Sequence, residues 1–119
     1  MKAVYAVFLE LEQGREITIG ALGRKKFSPG TYIYVGSAMN SVERRLERHY
    51  SRTENRHWHI DYFSEEAEAF DHFILPETSE HECVLADIFS RFARPVDGFG
   101  ASDCACGSHL FHVPKSFSR

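Results

Sequence analysis

Apolar residues occur in short segments separated by glycine, proline and polar residues, and this pattern predicts strands along much of the chain. In residues 2–10 both alternating sets of side chains are mostly apolar, which predicts a strand covered on both faces. A turn at Gln13-Gly14 and a short segment at 17–19 predict a hairpin. Residues 32–36 are β-branched or aromatic up to Gly36, which predicts a strand that ends in a glycine turn. Further strands are predicted at Phe27, at 68–75 and at 110–113.

Helical periodicity is clearest directly after the Gly36 turn. Val42, Leu46 and Tyr50 are four residues apart, which predicts the buried stripe of a helix over 42–50. Arg45 and His49 have the same spacing and share a neighbouring face, so they can overhang the end of the preceding strand. Two more helices are predicted, at 57–63 and from Thr78 or Ser79 to about Phe92.

The predicted order is strand, strand, strand, helix, helix, strand, helix, strand. This order predicts the α+β (α/β) fold class: a small sandwich with a mixed, mostly antiparallel central sheet flanked by helices. The chain has 119 residues, which is the length of one domain with its own core. We expect that domain over 1–114 and a C-terminal tail over 115–119.

Charge changes this picture because it is segregated along the chain. The formal net charge of −3 argues against a protein that coats nucleic acid without specificity. Basic and imidazole side chains nevertheless cluster in one stretch, comprising Arg44, Arg45, Arg48, Arg52 and Arg56 with His49, His57 and His59. The stretch 61–87 contains no Lys or Arg and nine acidic residues. A basic binding face backed by an acidic one, and two solvated helix faces of opposite sign, both fit this pattern.

Two further features bear on the compartment. The apolar run of the first strand is too short for a signal-peptide core with a cleavage site or for a membrane span. Three cysteines cannot all pair within one chain, which favours a reducing environment. We therefore expect a cytoplasmic protein with no membrane partner.

Several residues could carry chemistry together. If the first strand pairs with strand 32–36, Tyr5 and Tyr34 come close to each other. A phenol is a poor base unless a nearby cation lowers its pKa, and Arg45 with His49 could supply that environment. Glu82, in the first turn of the last helix, is a natural Mg²⁺ ligand. Each residue also has an ordinary structural interpretation: core tyrosines, a solvated arginine and an acid that stabilises a helix dipole.

The combination of these residues resembles the GIY-YIG endonuclease superfamily. Tyr34-Val35-Gly36, followed by a helix with Arg45 and His49, is similar to that family's second motif and catalytic helix. Ala3-Val4-Tyr5 stands where the first motif would be, and Glu82 where the metal-binding glutamate would be. The segments 57–62, 98–106 and 108–111 look like a small stand-alone branch of the superfamily, so the resemblance covers nearly the whole chain.

The chain departs from the family pattern at two places. Ala3 replaces a structural glycine of the first motif, whereas Gly30-Thr31-Tyr32 lies too close to Tyr34 to be that motif. The superfamily often has an asparagine after the metal-binding glutamate, and none follows Glu82. Asp103, Ser102 or His109 are the residues that could replace it.

The resemblance implies divalent-metal-dependent hydrolysis of phosphodiester bonds in nucleic acid, expected to be DNA. Mg²⁺ or Mn²⁺ would bind weakly at Glu82 and polarise the phosphate. Tyr5, alone or with Tyr34, would orient and deprotonate the attacking water, Arg45 would hold the phosphate, and His49 would support proton transfer. Double-strand cleavage would need a homodimer or two binding events. The nucleic-acid-binding residues would be Arg44, Arg48, Arg52, Arg56, His57 and His59.

Two other functions remain open from the sequence. The chain could be a nucleic-acid-binding module that has lost turnover. It could also be a zinc-stabilised interaction protein, since Cys104 and Cys106 precede His109 and His112. The one-residue gap between the cysteines is tighter than the usual two, so we expect two thiols in a tight loop rather than structural zinc.

Overall fold

The computed structural model describes residues 3–38, 42–51, 59–76, 80–91, 93–96, 99 and 108–113, apart from the side chains of 51, 76 and 80–84. The strands are β1 (Ala3–Leu11), β2 (Arg15–Thr18), β3 (Arg24–Phe27), β4 (Gly30–Ala38), β5 (Glu68–Pro76), β6 (Arg94–Pro95) and β7 (Leu110–Val113). The helices are α1 (Val42–Ser51), α2 (His59–Ser64) and α3 (Glu80–Ser90), with a short 3₁₀ turn at Gly20–Leu22.

Five of these strands form one sheet in the order β5-β1-β4-β7-β6, and β2 and β3 form a separate hairpin. All the described pairings are antiparallel. The central pair is β1 with β4, in which Tyr5 lies opposite Gly36 and Ala3 opposite Ala38. The predicted α+β sandwich is thus confirmed, with a described sheet that is antiparallel throughout.

Each face of the sheet has its own apolar core. One face, which we call the tyrosine face, buries Tyr5, Val7, Leu9, Tyr32 and Tyr34. It packs against α1, α2 and the β2–β3 hairpin, because their buried side chains are Leu46, Ile60, Phe63, Ile17 and Phe27. The opposite face, which we call the α3 face, buries Val4, Ala6, Ile33, Val35 and Phe111 against Ala86 and Phe89 of α3. The apolar character of both side-chain sets in β1 follows from this double covering.

The short strand predicted at Phe27 is confirmed as β3. Two other expectations were wrong in detail. Tyr50 is not in the core of α1: it is 40% exposed, and its hydroxyl lies 2.9 Å from His72 Nδ1 on β5. The second strand covers Arg15–Thr18 instead of 17–19. Ile19 was predicted to belong to the second strand but lies beyond the end of β2. Its side chain is nevertheless buried, which accounts for an apolar residue at this position.

Within the described residues, no helix is long and apolar enough to cross a membrane.

Candidate active site

The candidate site is centred on Tyr5, whose side chain crosses the sheet over Gly36. The two residues are direct partners in the β1–β4 ladder, so their side-chain positions share the tyrosine face. A Cβ placed on Gly36 would lie 2.7 Å from both Cζ and the hydroxyl oxygen of Tyr5, and 3.0 Å from Cε2 of Tyr34. Such distances are too short for any side chain, so glycine at position 36 is what allows the Tyr5 phenol to lie there.

Beyond Gly36 the Tyr5 hydroxyl reaches α1. Its oxygen lies 2.9 Å from Nε2 of His49, and the contact is buried. Tyr34 completes a cluster of three rings, with centroid distances of 6.4 Å to Tyr5 and 5.6 Å to His49. The exposed fractions of Tyr5, Tyr34 and His49 are 0%, 7% and 1%. The structure therefore brings together three of the predicted catalytic residues, in a water-poor setting.

Burial also determines the charge of His49. It lowers the pKa of this imidazole to about 4, because the charged form loses hydration. Arg45 and Arg48 lower the pKa further by repulsion, and Asp61 opposes them by attraction. His49 is consequently neutral at pH 7. Its Nδ1 is buried without a hydrogen-bond partner in the described structure, so the contact with Tyr5 is what orients the ring.

Arg45 lies one helical turn before His49, at the end of β4. Its Nη1 donates a hydrogen bond of 3.0 Å to the carbonyl oxygen of Ser37, and the side chain is half-buried. This bond ties the guanidinium to the strand end that follows Gly36. A guanidinium held in this way can present its other N–H groups to a phosphate oxygen.

The basic residues of α1 divide into two groups. Arg44 is exposed, as expected for a residue that meets a ligand from solvent. Arg48 is not on the exposed surface: its Nε and Nη2 each donate a 3.1 Å hydrogen bond to the carboxylate of Asp61 in α2. The Asp61 side chain is fully buried and that of Arg48 is 22% exposed. This bidentate pair joins α1 to α2, a role that the sequence analysis missed although Asp61 is the one acid in a helix of buried residues.

Glu82 lies in the first turn of α3, and its side chain is outside the description. The helix packs on the α3 face, whereas Tyr5, Tyr34 and His49 lie on the tyrosine face. β4 and β5 both end at the same end of the sheet, because Ala3 pairs with both Ala38 and Pro76. α1 and α3 follow β4 and β5 from this end, so Glu82 is six residues along the chain from a strand end beside the tyrosine site.

The remaining predicted site residues are dispersed. His59 is half-buried against Phe99, and burial lowers its pKa. His109 is buried, with its backbone N–H donating to Phe99 and its carbonyl oxygen accepting from Val35. The described residues contain no group of three metal-binding side chains. Six further predicted residues lie outside the described residues: Arg52, Arg56, His57, Asp103, Cys104 and Cys106.

Comparison with known proteins places the chain in one family. A family model described as "Domain of unknown function DUF123" matches residues 4–119, and the protein belongs to this family. Searches of curated proteins and of solved structures returned no match.

Proposed function

We propose that this protein is a divalent-metal-dependent endonuclease of the GIY-YIG type that hydrolyses phosphodiester bonds of DNA. The observation that carries the proposal is the buried contact between Tyr5 and His49 over Gly36. A buried tyrosine hydroxyl needs a hydrogen-bond partner, and here the partner is a titratable imidazole whose Nδ1 has no partner among the described residues. The half-buried guanidinium of Arg45 at the same strand end adds a phosphate ligand.

The chain's own residues divide the work of hydrolysis. Arg45 binds the phosphate and neutralises the charge that develops on it in the transition state. In the tautomer of neutral His49 that has its proton on Nδ1, Nε2 accepts the hydroxyl hydrogen of Tyr5, and the lone pairs of the phenol oxygen then point away from the imidazole. That oxygen can then accept a hydrogen bond from the attacking water and orient it towards phosphorus. Tyr34 packs against both rings and excludes other solvent.

The donor chemistry fits a hard divalent cation. Glu82 is a carboxylate residue of the helix that follows β5, and one carboxylate with phosphate and water oxygens is a typical Mg²⁺ environment. Glu82 would hold the ion, which would supply Lewis-acid polarisation of the phosphate. The predicted structural roles of Asp103, Cys104 and Cys106 stay predictions.

The test is a cleavage assay on supercoiled plasmid, branched DNA, single strands and RNA, with Mn²⁺ or with EDTA. We expect metal-dependent cleavage of DNA that falls about 100- to 1,000-fold in Arg45→Ala, the usual loss for one transition-state donor. Tyr5→Phe and Glu82→Gln should also lose cleavage while keeping the melting temperature within a few degrees. Arg91→Ala is the matched control, because Arg91 is exposed and pairs only with Asp87 in the described structure.

Absence of cleavage on every substrate would refute the proposal. DNA binding without cleavage would favour the non-catalytic binding module. Cleavage that survives Arg45→Ala and Tyr5→Phe would refute this assignment of the site. Stoichiometric zinc in the purified protein, with unfolding by chelator, would support the zinc-stabilised interaction protein instead.

A further inference from the structure

A second concave surface lies on the far side of Tyr32 from the candidate active site. It is a groove of about 310 Å³ formed by β3, the start of β4, β6 and β7. We call it the cationic groove, and its charged and aromatic lining includes Lys25, Lys26, Tyr32, Arg94 and His112. These residues come from four separate elements, which meet only when the β2–β3 hairpin packs beside the five-stranded sheet.

The described lining of the cationic groove is basic. Lys25, Lys26 and Arg94 form no ion pair or side-chain hydrogen bond in the part of the chain that the structure describes, and none of the described residues that line the groove is acidic. Glu16 lies opposite Lys26 in the β2–β3 ladder, outside the groove lining. The neighbouring Arg24, in contrast, lies 3.4 Å from Glu16 across the hairpin. In a protein of net charge −3, a concave surface whose described lining has three cations and no carboxylate favours a bound anion.

The walls of the cationic groove reinforce this preference. The Tyr32 hydroxyl donates to the carbonyl oxygen of Ser28 at 2.6 Å, and His112 Nε2 lies 3.1 Å from the carbonyl oxygen of Pro29. The two rings stack at 4.6 Å with an interplanar angle of 23°. Two backbone acceptors that would repel an anion are therefore already engaged, and the wall that engages them is held by stacking.

The spacing from the candidate active site suggests what the anion is. Tyr32 and Gly36 lie on the same face of β4, four residues apart, which corresponds to about 13 Å. Each strand of a duplex has one phosphate per about 3.4 Å of helix axis, and the phosphates of an extended single strand are farther apart, so this distance spans at most about four nucleotides. We propose that the cationic groove binds a backbone phosphate of the nucleic-acid strand, at most about four nucleotides from the phosphate held at Arg45. This inference rests on the proposed function.

The test measures binding separately from cleavage. Fluorescence anisotropy of a labelled twelve-nucleotide DNA strand in EDTA gives the affinity and its dependence on salt. For the variant Lys25→Gln/Lys26→Gln/Arg94→Gln we expect about 10- to 100-fold weaker binding at 0.1 M salt. The magnitude of the slope of log affinity against log salt should fall by about 0.7, the contribution of one phosphate contact on a single strand.

The matched control is Arg24→Gln, which removes a charge from the same strand but one that Glu16 already balances. It should leave both the affinity and the salt slope near those of the unmodified protein. Melting temperatures of all variants should agree within a few degrees because the changed side chains are not in the core.

Distinct outcomes separate this inference from the proposed function. Unchanged affinity and slope in the triple variant would overturn the inference and leave cleavage at Tyr5 and Arg45 intact. Weaker binding of the triple variant, in a protein that cuts no substrate, would support the groove and refute the nuclease. Binding of inorganic phosphate as tightly as the strand, lost in the triple variant, would assign the groove to a small anion and overturn the strand proposal.

Discussion

Gly36→Ala is the substitution that most directly tests the architecture of the candidate site. The added Cβ would meet two atoms of Tyr5 at 2.7 Å and one of Tyr34 at 3.0 Å. Ordinary contacts of a Cβ lie at 3.4 Å or more. An overlap of this size cannot be relieved by a small rotation, because Tyr5 is fully buried and its hydroxyl is held by His49.

The expected cost follows from these contacts. Overpacking a tight core costs about 1–3 kcal/mol, and two rigid rings place this site at the upper end. Alanine favours the strand over glycine by about 0.5–1 kcal/mol, which leaves a net loss of about 2 kcal/mol. For a domain of this size we expect the melting temperature to fall by about 8 °C. Urea unfolding followed by circular dichroism measures the free energy directly.

Gly14→Ala is the matched control. A Cβ at Gly14 would lie 3.4 Å from the Phe27 carbonyl oxygen and 3.5 Å from Pro29 Cδ, which are ordinary contacts. Its free energy of unfolding should change by less than about 0.5 kcal/mol.

A double-mutant cycle identifies the source of the Gly36 effect. Tyr5→Leu replaces the ring with a shorter side chain and so removes the overlapping atoms. In that background Gly36→Ala should therefore lower the free energy of unfolding by at least about 1 kcal/mol less than in the unmodified protein. If Gly36→Ala is as mild as Gly14→Ala, or if its cost is the same with Leu at position 5, the described packing of Tyr5 over Gly36 is incorrect.

Two further predictions concern buried charge. The folded pKa of His49 is about 4 against 6.5 in the unfolded chain, so the unfolded state binds more protons between these values and stability falls as the pH drops from 6.5 to 4. The loss of unfolding free energy attributable to His49 reaches about 3 kcal/mol. Urea titrations at pH 7 and 4.5 should show that the free energy of unfolding depends less on pH in His49→Gln than in the unmodified protein. The same pH dependence in both proteins would contradict the buried neutral imidazole. Asp61→Asn should lower the free energy of unfolding by about 3 kcal/mol, because it leaves Arg48 facing a neutral amide in a largely buried pair. Asp87→Asn, in the exposed pair with Arg91, should lower it by less than about 0.5 kcal/mol. Similar losses in the two variants would refute the difference in burial between the two pairs.

Local sequence patterns predicted most of the strands and helices, because the conformation of a segment depends largely on its own residues and their periodicity. The apolar sets of β1 require cover on both faces, and the β-branched and aromatic run before Gly36 favours a strand. The spacing of Arg45 and His49 places both on one side of α1 in any helix. Tyr50 shows the limit of this reasoning, since its periodicity matched the core stripe but its side chain is exposed beside His72.

The sequence by itself determined that Tyr5 and Tyr34 belong to two apolar strands and that a glycine lies between the later strand and a basic helix. Only the tertiary structure decided which groups meet. Strand register placed Tyr5 directly opposite Gly36 and directed its hydroxyl at His49. Packing of α1 on α2 joined Arg48 to Asp61, and packing of the β2–β3 hairpin beside β4, β6 and β7 formed the cationic groove. Periodicity reports which face of an element is buried, whereas the identity of a partner depends on contacts between residues far apart in the chain, which no local pattern encodes.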